Sequence, residues 1–442
     1  MRRKISLWGV LFLTWIFVVL IVLFGWSVWH IDNGGNRLGK LSKIIIPIAS
    51  FPSLARGIFV NGIFETLFQN PLLLDDKYSN IQSIRIKHKI TEDGYILLSS
   101  YDKKYGQSTV KLLRFADSKI LHTWVLNIDQ IKDRQISLDG FGKKHFRMIH
   151  PLLLDNGSIV FQNMSGSLIN LDIHSNIKWV LKGIFHHSIE LDGDGNIWVP
   201  TRIDPSFVKL PVIKLFNDDA LGEVSTEGKL LYRKSIADIL LENGYRGLLV
   251  GVGPVSSDQI HLNCIQPALT TTKYWQKGDL LISLRHRSTV FLYRPATNKI
   301  LWLKTGPWLN QHDADFIDST KISIFGNNVI RSNVPSQSDF LISGHNEVYV
   351  YDFATDKVST PYTEFMTKSK IGTLSEGRAQ VLDNGDVFVE ETNFGRLFRG
   401  DKTHAIWSLV DRVDDKTIST LGWCRYISKK EFDEKYSKIN FN

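Results

Sequence analysis

Cysteine is nearly absent from this sequence: 442 residues carry two, Cys264 and Cys424. So few exclude a disulfide-rich scaffold and any CxxC metal knuckle, and leave open whether the two pair with each other. Runs of like charge are missing as well. The formal charge of +8 is spread along the chain, which argues against a nucleic-acid stripe and fits a basic surface facing small anions or anionic lipid. Long amphipathic helical patterns are scarce beyond residue 80, "RKSIADILLENG" (233–244) being the one good candidate. Apolar and aromatic residues are plentiful, with 43% hydrophobic and 12 Trp, so a packed core rather than disorder is expected over most of the length. That length allows one large repeat-built domain or two of ordinary size.

A single apolar run is long enough for a bilayer. After "MRRK", Leu7 to Trp29 contains no charge and as a helix would span roughly 30 Å or more. A cleaved signal peptide is the competing reading, but its apolar region is usually only about 7–15 residues and ends in small residues. This run is longer and closes with Trp26 and Trp29, which favour the membrane interface. The expectation is an uncleaved anchor at 7–29, with residues 1–6 held in the cytoplasm by Arg2, Arg3 and Lys4 and the remaining chain outside. Ile44 to Phe64 is apolar but broken by Pro47, Pro52 and Arg56. We read it as part of a juxtamembrane segment, 30–80, or alternatively as a buried loop and short helix.

Beyond residue 80 the pattern becomes short apolar runs punctuated by a recurring corner. It appears as "TEDGYILL" (91–98), "LDNGSIVF" (154–161), "LDGDGNIWV" (191–199), "WQKGDLLIS" (275–283) and "LDNGDVFVE" (382–390), with a degraded copy at "IDSTKISIF" (317–325). Gly and Asn accept the positive φ that a tight hairpin needs. Partner runs such as "SLINLDI", "TVFLYRP" and "EVYVYDF" lie between them, several with period-two alternation. The copies recur too often for one sandwich, and radial repetition of four-stranded blades is an economical alternative. The expected fold is therefore an all-β, six-bladed β-propeller over 81–442, preceded by one N-terminal transmembrane helix. In a propeller, ligands gather at the central channel, so functional residues should be scattered, one or two per repeat.

Four places break the apolar rhythm with groups capable of chemistry. "FHHSIEL" puts His186 and His187 ahead of a strand, and "IHLNC" spaces His261 and Asn263 to share a face of an extended chain. In "ISLRHRSTVFLY", Arg285, His286 and Arg287 interrupt an apolar strand, while "NQHDADF" supplies His312 and Asp313. Taken singly, each histidine reads as a turn residue. Arg285 is harder to dismiss, because a buried cation needs an anion or acid to receive it. Two chemistries fit the set: several imidazoles on a transition metal, or an imidazole that attacks a tetrahedral anion while Arg285 takes up charge on its oxygens. The arginine favours the second.

In this order, "FHHSIELDGDGNIWV", "HLN", "SLRHRSTVFLY" followed by "KILWLKTGP", and "QHDADFI" resemble the bacterial arylsulfotransferases that work without the nucleotide sulfate donor. The resemblance covers roughly residues 85–400. It implies a six-bladed propeller in the periplasm, anchored here in the inner membrane, that moves a sulfuryl group from an aryl sulfate donor to a phenolic or other hydroxyl acceptor. By the same resemblance His312 is the transient carrier, a sulfohistidine, with His187, His186, His261 and Arg285 as further catalytic residues. Asn263, His286 and Asp313 are then substrate-binding, and the adjacent pair leans to His187. No cofactor and no metal is implied. A neutral imidazole attacking sulfur splits the transfer into two ping-pong steps, and positioning and charge spreading do most of the work, as in phosphoryl transfer.

Some features depart from that pattern. Only about fifty residues separate the anchor from the first blade, where family members carry a separate N-terminal β-domain, and "HHS" replaces the commoner "HHD". Glu376, Arg378, Glu390 and Glu391 form either a salt-bridge ladder, the favoured reading, or a pocket wall. Expected partners are small molecules and the membrane, with no nucleic acid and room for a homodimer. Two alternatives are kept: a non-catalytic anchored propeller that binds or assembles, and a hydrolase of sulfate or phosphate esters.

Overall fold

A computed structural model describes residues 6–32, 72–83, 94–128, 146–163, 166–204, 216–253, 255–331 and 339–441, with single positions 41, 44, 45, 48, 130 and 206. The N-terminal helix runs Leu7–Asp32, 26 residues, or about 39 Å. Its span Leu7–Trp29 is long and apolar enough to cross a membrane, as an anchor or a signal sequence would be. Thr14 Oγ1 donates to the Val10 carbonyl (3.0 Å) and Ser27 Oγ to that of Leu23 (2.7 Å), so both hydroxyls are satisfied within the helix. Most of Ile44 to Phe64 lies outside the described residues.

The remaining described chain is all-β and propeller-like. Four separate sheets hold four or five strands: Leu262–Pro267 through Lys299–Thr305; Asp313–Phe316 through Lys357–Ser359; Arg378–Val381 through Ala405–Val410, extended by Gln82–Ser83; and Tyr95–Asp102 through Lys119–Trp124, completed by Arg425–Ile427. A fifth, eight-stranded sheet runs from Ile149–Leu153 to Leu230–Ser235. The first strands of successive sheets adjoin one another, as Leu262–Pro267 does Asp313–Phe316, and so form the inner ring.

The recurring corner joins an inner strand to the next. At 154–158 the Leu154 and Ser158 backbones pair, Asn156 Oδ1 accepts the Ser158 N–H (2.9 Å), and Gly157 supplies φ 79°. Asp192 and Gly195 repeat that chemistry, as do Asn384 and Gly385. Both faces of each sheet are buried, which explains the near-continuous apolar runs. Along Tyr95–Asp102, Tyr95 and Leu97 pack with Ile159, Phe161 and Ile169, whereas Ile96 and Leu98 pack with Phe388, Leu397 and Leu409. Phe388 in turn alternates with Val387 and Val389, which face Phe325 and Val348. Each sheet is thus glued to both neighbours by alternate residues. Arg425–Ile427 pairs with the far earlier Tyr95–Leu97, closing the sequence of sheets.

One sequence expectation narrows and one open question closes. The helix read at 233–244 occupies Ile236–Glu242; Ser235 caps it by accepting the Asp238 N–H (3.2 Å), and residues before it belong to the strand Leu230–Ser235. The two cysteines are free and buried: Cys264 Sγ lies 3.8 Å from Asp313 Oδ1 and Cys424 Sγ 3.8 Å from the Ser99 carbonyl.

Candidate active site

Strand register decides which loops meet. Leu262 pairs with Leu284, so His261, just before the first strand, lies beside Arg285, just after the second. Their backbones bond: Arg285 N–H donates to the His261 carbonyl (3.0 Å) and His286 N–H to that of Ile260 (3.2 Å). One sheet on, Asp313 pairs with Phe325, and His312 comes to lie beside Asn327. Residues Arg285–Arg287 do not interrupt a strand, as the sequence suggested. They form a one-turn corner between Leu280–Leu284 and Thr289–Arg294, closed by Ser288 at φ 46°.

Backbone handedness aims the side chains. His150, His187, His261, Asn310, Glu376 and Trp423 all have φ between 48° and 59°, a conformation that L-residues adopt at a cost. Each sits in, or at most three residues ahead of, a short strand on the inner ring. Four of them bring rings together: centroids of His187 and His261 are 5.1 Å apart, His187 and Trp423 5.9 Å, and His150 and Trp423 5.2 Å. His312 joins them, 6.1 Å from His187 and 6.3 Å from Trp423. Because His261 is left-handed rather than extended, the alternation argument linking it to Asn263 fails. Asn263 is fully buried and donates Nδ2–H to the Gln311 carbonyl (3.0 Å), pinning the residue before His312.

His312 is 1% exposed. Its Nδ1 lies 2.6 Å from Asn327 Oδ1, while Asn327 Nδ2 donates to the Glu376 carbonyl (2.8 Å). That amide orientation places the ring hydrogen on Nδ1 and the lone pair on Nε2, which accepts the Glu376 N–H at 3.2 Å. Burial, and after it the Arg285 charge, holds His312 well below the usual imidazole range; burial and then His186 do the same to His187. Both are neutral near pH 7.

Arg285 is 2% exposed and donates from Nη1 to His286 Nε2 (2.9 Å). Its Nε and Nη2 have no partner among the described residues, leaving two donors of a fork-shaped cation open to an anion. Burial and the neighbouring Arg331 depress it to about 10. His286 falls to about 4, first through burial and then His261, and its Nδ1 donates to the Asp258 carbonyl (2.8 Å).

The adjacent histidines bond to each other, Nδ1 to Nδ1 at 2.8 Å, but turn their other edges to different partners. His187 contacts His261, His312 and Trp423, whereas His186 turns its Nε2 to within 3.4 Å of Asp219. Asp313 turns elsewhere, to Arg378 Nε at 3.4 Å; burial pushes its carboxyl up, and the Arg378 charge opposes that. The four late acids and bases are not one ladder. Glu376 holds Arg147 (2.8 and 2.9 Å), Arg378 reaches His150 Nε2 (2.8 Å), Glu390 accepts the Trp423 N–H (3.0 Å) and Glu391 pairs with Arg396 (2.5 Å).

Asp258, His261 and His286 bring three donor atoms within 4.8 Å of one another. The fit to a metal is poor: both Nδ1 hydrogens are given to Asp258, and the two rings stack 4.5 Å apart at 29° instead of converging.

Sequence reasoning missed His150, Asp258, Asn327 and Trp423. His150 and Trp423 carried a faint signal, a polar residue within "MIHPLL" and a tryptophan after glycine in "LGWC". Asp258 and Asn327 carried none, since their roles depend on register.

Several solved structures show similarity over most of the chain at low identity. The Myceliophteria thermophila Cps50 (Swd1) β-propeller domain is 8% identical, with TM-score 0.42, over 74% of this chain and 89% of its own. The Dos1 propeller is 11% identical, with TM-score 0.39, over 75% and 76%. A Bacteroides caccae protein of unknown function is 11% identical, with TM-score 0.47, over 76% and 99%. No curated protein matches. The family model described as arylsulfotransferase (ASST) matches residues 140–412, a stretch that holds His150, His187, His261, Arg285, His312 and Asn327. The chain belongs to the arylsulfotransferase family.

Proposed function

We propose that the protein is a membrane-anchored sulfotransferase that moves a sulfuryl group from an aryl sulfate to a phenolic or other hydroxyl acceptor by way of a sulfohistidine at His312. One observation carries this reading: a buried neutral imidazole, fixed through Nδ1 by Asn327, stands near a buried arginine with two unpaired donors. His312 Nε2 attacks sulfur as the S–O bond to the aryl group breaks and its electron pair leaves with the phenol oxygen. Before that, the ring must give up the Glu376 N–H. Arg285 faces the sulfuryl oxygens, where fixed donors in a dry site are most effective. An acceptor hydroxyl then attacks sulfur and returns the electron pair to Nε2.

The same proposal includes six blades. Among the described residues a single register pair, Thr201 with Phe185, and the adjoining His186 N–H to Pro200 carbonyl bond (3.1 Å) join the two halves of the eight-stranded sheet, so we count it as two blades beside the four separate sheets. Leu7–Trp29 is the anchor, with the N-terminus in the cytoplasm and the propeller outside.

The test is mass spectrometry of the full-length protein in detergent after brief exposure to an aryl sulfate without acceptor, kept mildly alkaline. A sulfuryl-sized gain on His312 that phenol discharges is expected, and His312→Asn should abolish it and cut transfer by at least about a thousandfold. Anion binding without an adduct, unchanged in His312→Asn, would mark a binding module. Product release independent of phenol would mark a hydrolase.

A further inference from the structure

The histidines of the site differ in what holds them. His312 gives its Nδ1–H to a carboxamide, Asn327, whereas His261 gives its own to a carboxylate, Asp258 Oδ2, at 2.6 Å. A carboxamide leaves imidazole neutral, while a carboxylate stabilises the imidazolium that forms when the other nitrogen takes a proton. Resting on the sulfotransferase reading, we propose that Asp258 is a positioning residue that makes His261 the proton donor to the departing phenol and the proton acceptor from the incoming one.

Local structure supports a fixed pair. The left-handed backbone at His261, φ 56°, folds its ring back over the residue three before it. The loop carrying Asp258 is pinned on both sides, by Asn217 N–H to the Ser257 carbonyl (2.8 Å) and by Gln259 Oε1 accepting the Ser256 N–H (2.9 Å). Asp258 Oδ1 is buried without a partner among the described residues. Ring to ring, His261 faces His187 at 5.1 Å and His286 at 4.5 Å. With Nδ1 committed to Asp258, Nε2 is the nitrogen left for substrate.

In the first half-reaction His261 starts protonated on both nitrogens. As His312 Nε2 bonds to sulfur and the S–O bond breaks, the proton on His261 Nε2 passes to the aryl oxygen, and phenol leaves neutral. In the second half His261 Nε2 takes the acceptor's hydroxyl proton while its oxygen attacks sulfur and the S–N bond breaks. Protons and charges balance over the cycle.

The experiment compares two donors on the full-length protein in detergent, following His312 labelling in single turnovers. Phenyl sulfate expels a phenol of pKa about 10 that needs a proton, whereas 4-nitrophenyl sulfate expels a far more acidic one. Asp258→Asn should slow labelling by phenyl sulfate about a hundredfold and by 4-nitrophenyl sulfate less than about threefold. Uniform slowing of both donors, or none, overturns the role of Asp258. Asp258→Ala provides a second route: added formate should restore the phenyl sulfate rate selectively, and an equal response from both donors again overturns it. No adduct from either donor in the unaltered protein overturns the transferase reading itself, which separates the two failures.

Discussion

The Arg285 charge, after burial, helps hold His312 neutral, and that bears on the residue-scale behaviour of the site. Removing the guanidinium takes away the charge that helps hold the imidazole neutral and the two unpaired donors available to a sulfuryl group. Arg285→Ala should lower the rate of His312 labelling by about a hundredfold to a thousandfold, and Arg285→Lys should recover only part, since an ammonium lacks the fork; full activity in Arg285→Ala would contradict this role. The depressed histidines also predict a pH effect on stability. An unfolded histidine protonates near pH 6.5, but folded His286 resists until about 4. Between those values the unfolded state binds more protons, so this contribution is fully present above about 6.5 and is lost as pH falls toward 4. Asp315, whose carboxyl is pushed well up first by burial and then by Asp313, works in the opposite direction, so the comparison must be internal. Urea unfolding at pH 7 and pH 4 should show the unaltered protein losing about 1–3 kcal/mol more than His286→Asn. An equal loss would mean that His286 is not depressed in the fold.

Between residue and sheet, the informative units are the corner, the inner strand and the loop that precedes it. Glu390, fully buried, accepts the Thr392 hydroxyl (2.5 Å) and the N–H groups of Trp423 and Cys424, tying the segment ahead of Arg425–Ile427 to a strand of the preceding sheet. Glu390→Gln should cost about 2–3 kcal/mol in urea unfolding, because an amide cannot accept in all those directions without leaving its own hydrogens unpaired; a loss within experimental error would show that backbone pairing alone holds the junction. Elements of this kind were readable to different depths. Corners such as "LDNGSIVF" announced themselves because Asn, Asp and Gly at fixed offsets are a local requirement. Arg285 and His312 were visible because charge and imidazole stand out against apolar runs. Asp258 and Asn327 were silent, since nothing local distinguishes an aspartate or asparagine that happens to face a histidine brought by strand pairing. The His261 and Asn263 argument failed for a related reason: period-two alternation assumes an extended backbone, and a left-handed residue breaks it.

At the scale of the whole molecule, stability depends on the sheets being joined end to end. Arg425–Ile427 completes the sheet begun by Tyr95–Asp102, and the helix Lys429–Lys435 follows it. Phe432 from that helix stacks on Tyr95 at 3.8 Å and shares a cluster with Leu97, Trp124, Phe161 and Tyr436. Late residues therefore complete the core of the sheet built on Tyr95–Asp102, a long-range contact that no local pattern in the sequence announced. Closure also fixes the candidate site, because Trp423, two residues before the closing strand, contacts His150, His187 and His312. Phe432→Ala removes a large ring from a packed contact and should cost about 3–5 kcal/mol. If closure couples the sheets, unfolding should stay a single transition shifted to lower urea, with His312 labelling lost along the same curve as tryptophan fluorescence. Labelling that disappears well before the fluorescence change would show that the ring opens at this seam while the other sheets stay folded. Either way, the substituted residue lies more than 300 positions from the strand it supports, at a seam where both the fold and the candidate site are held together.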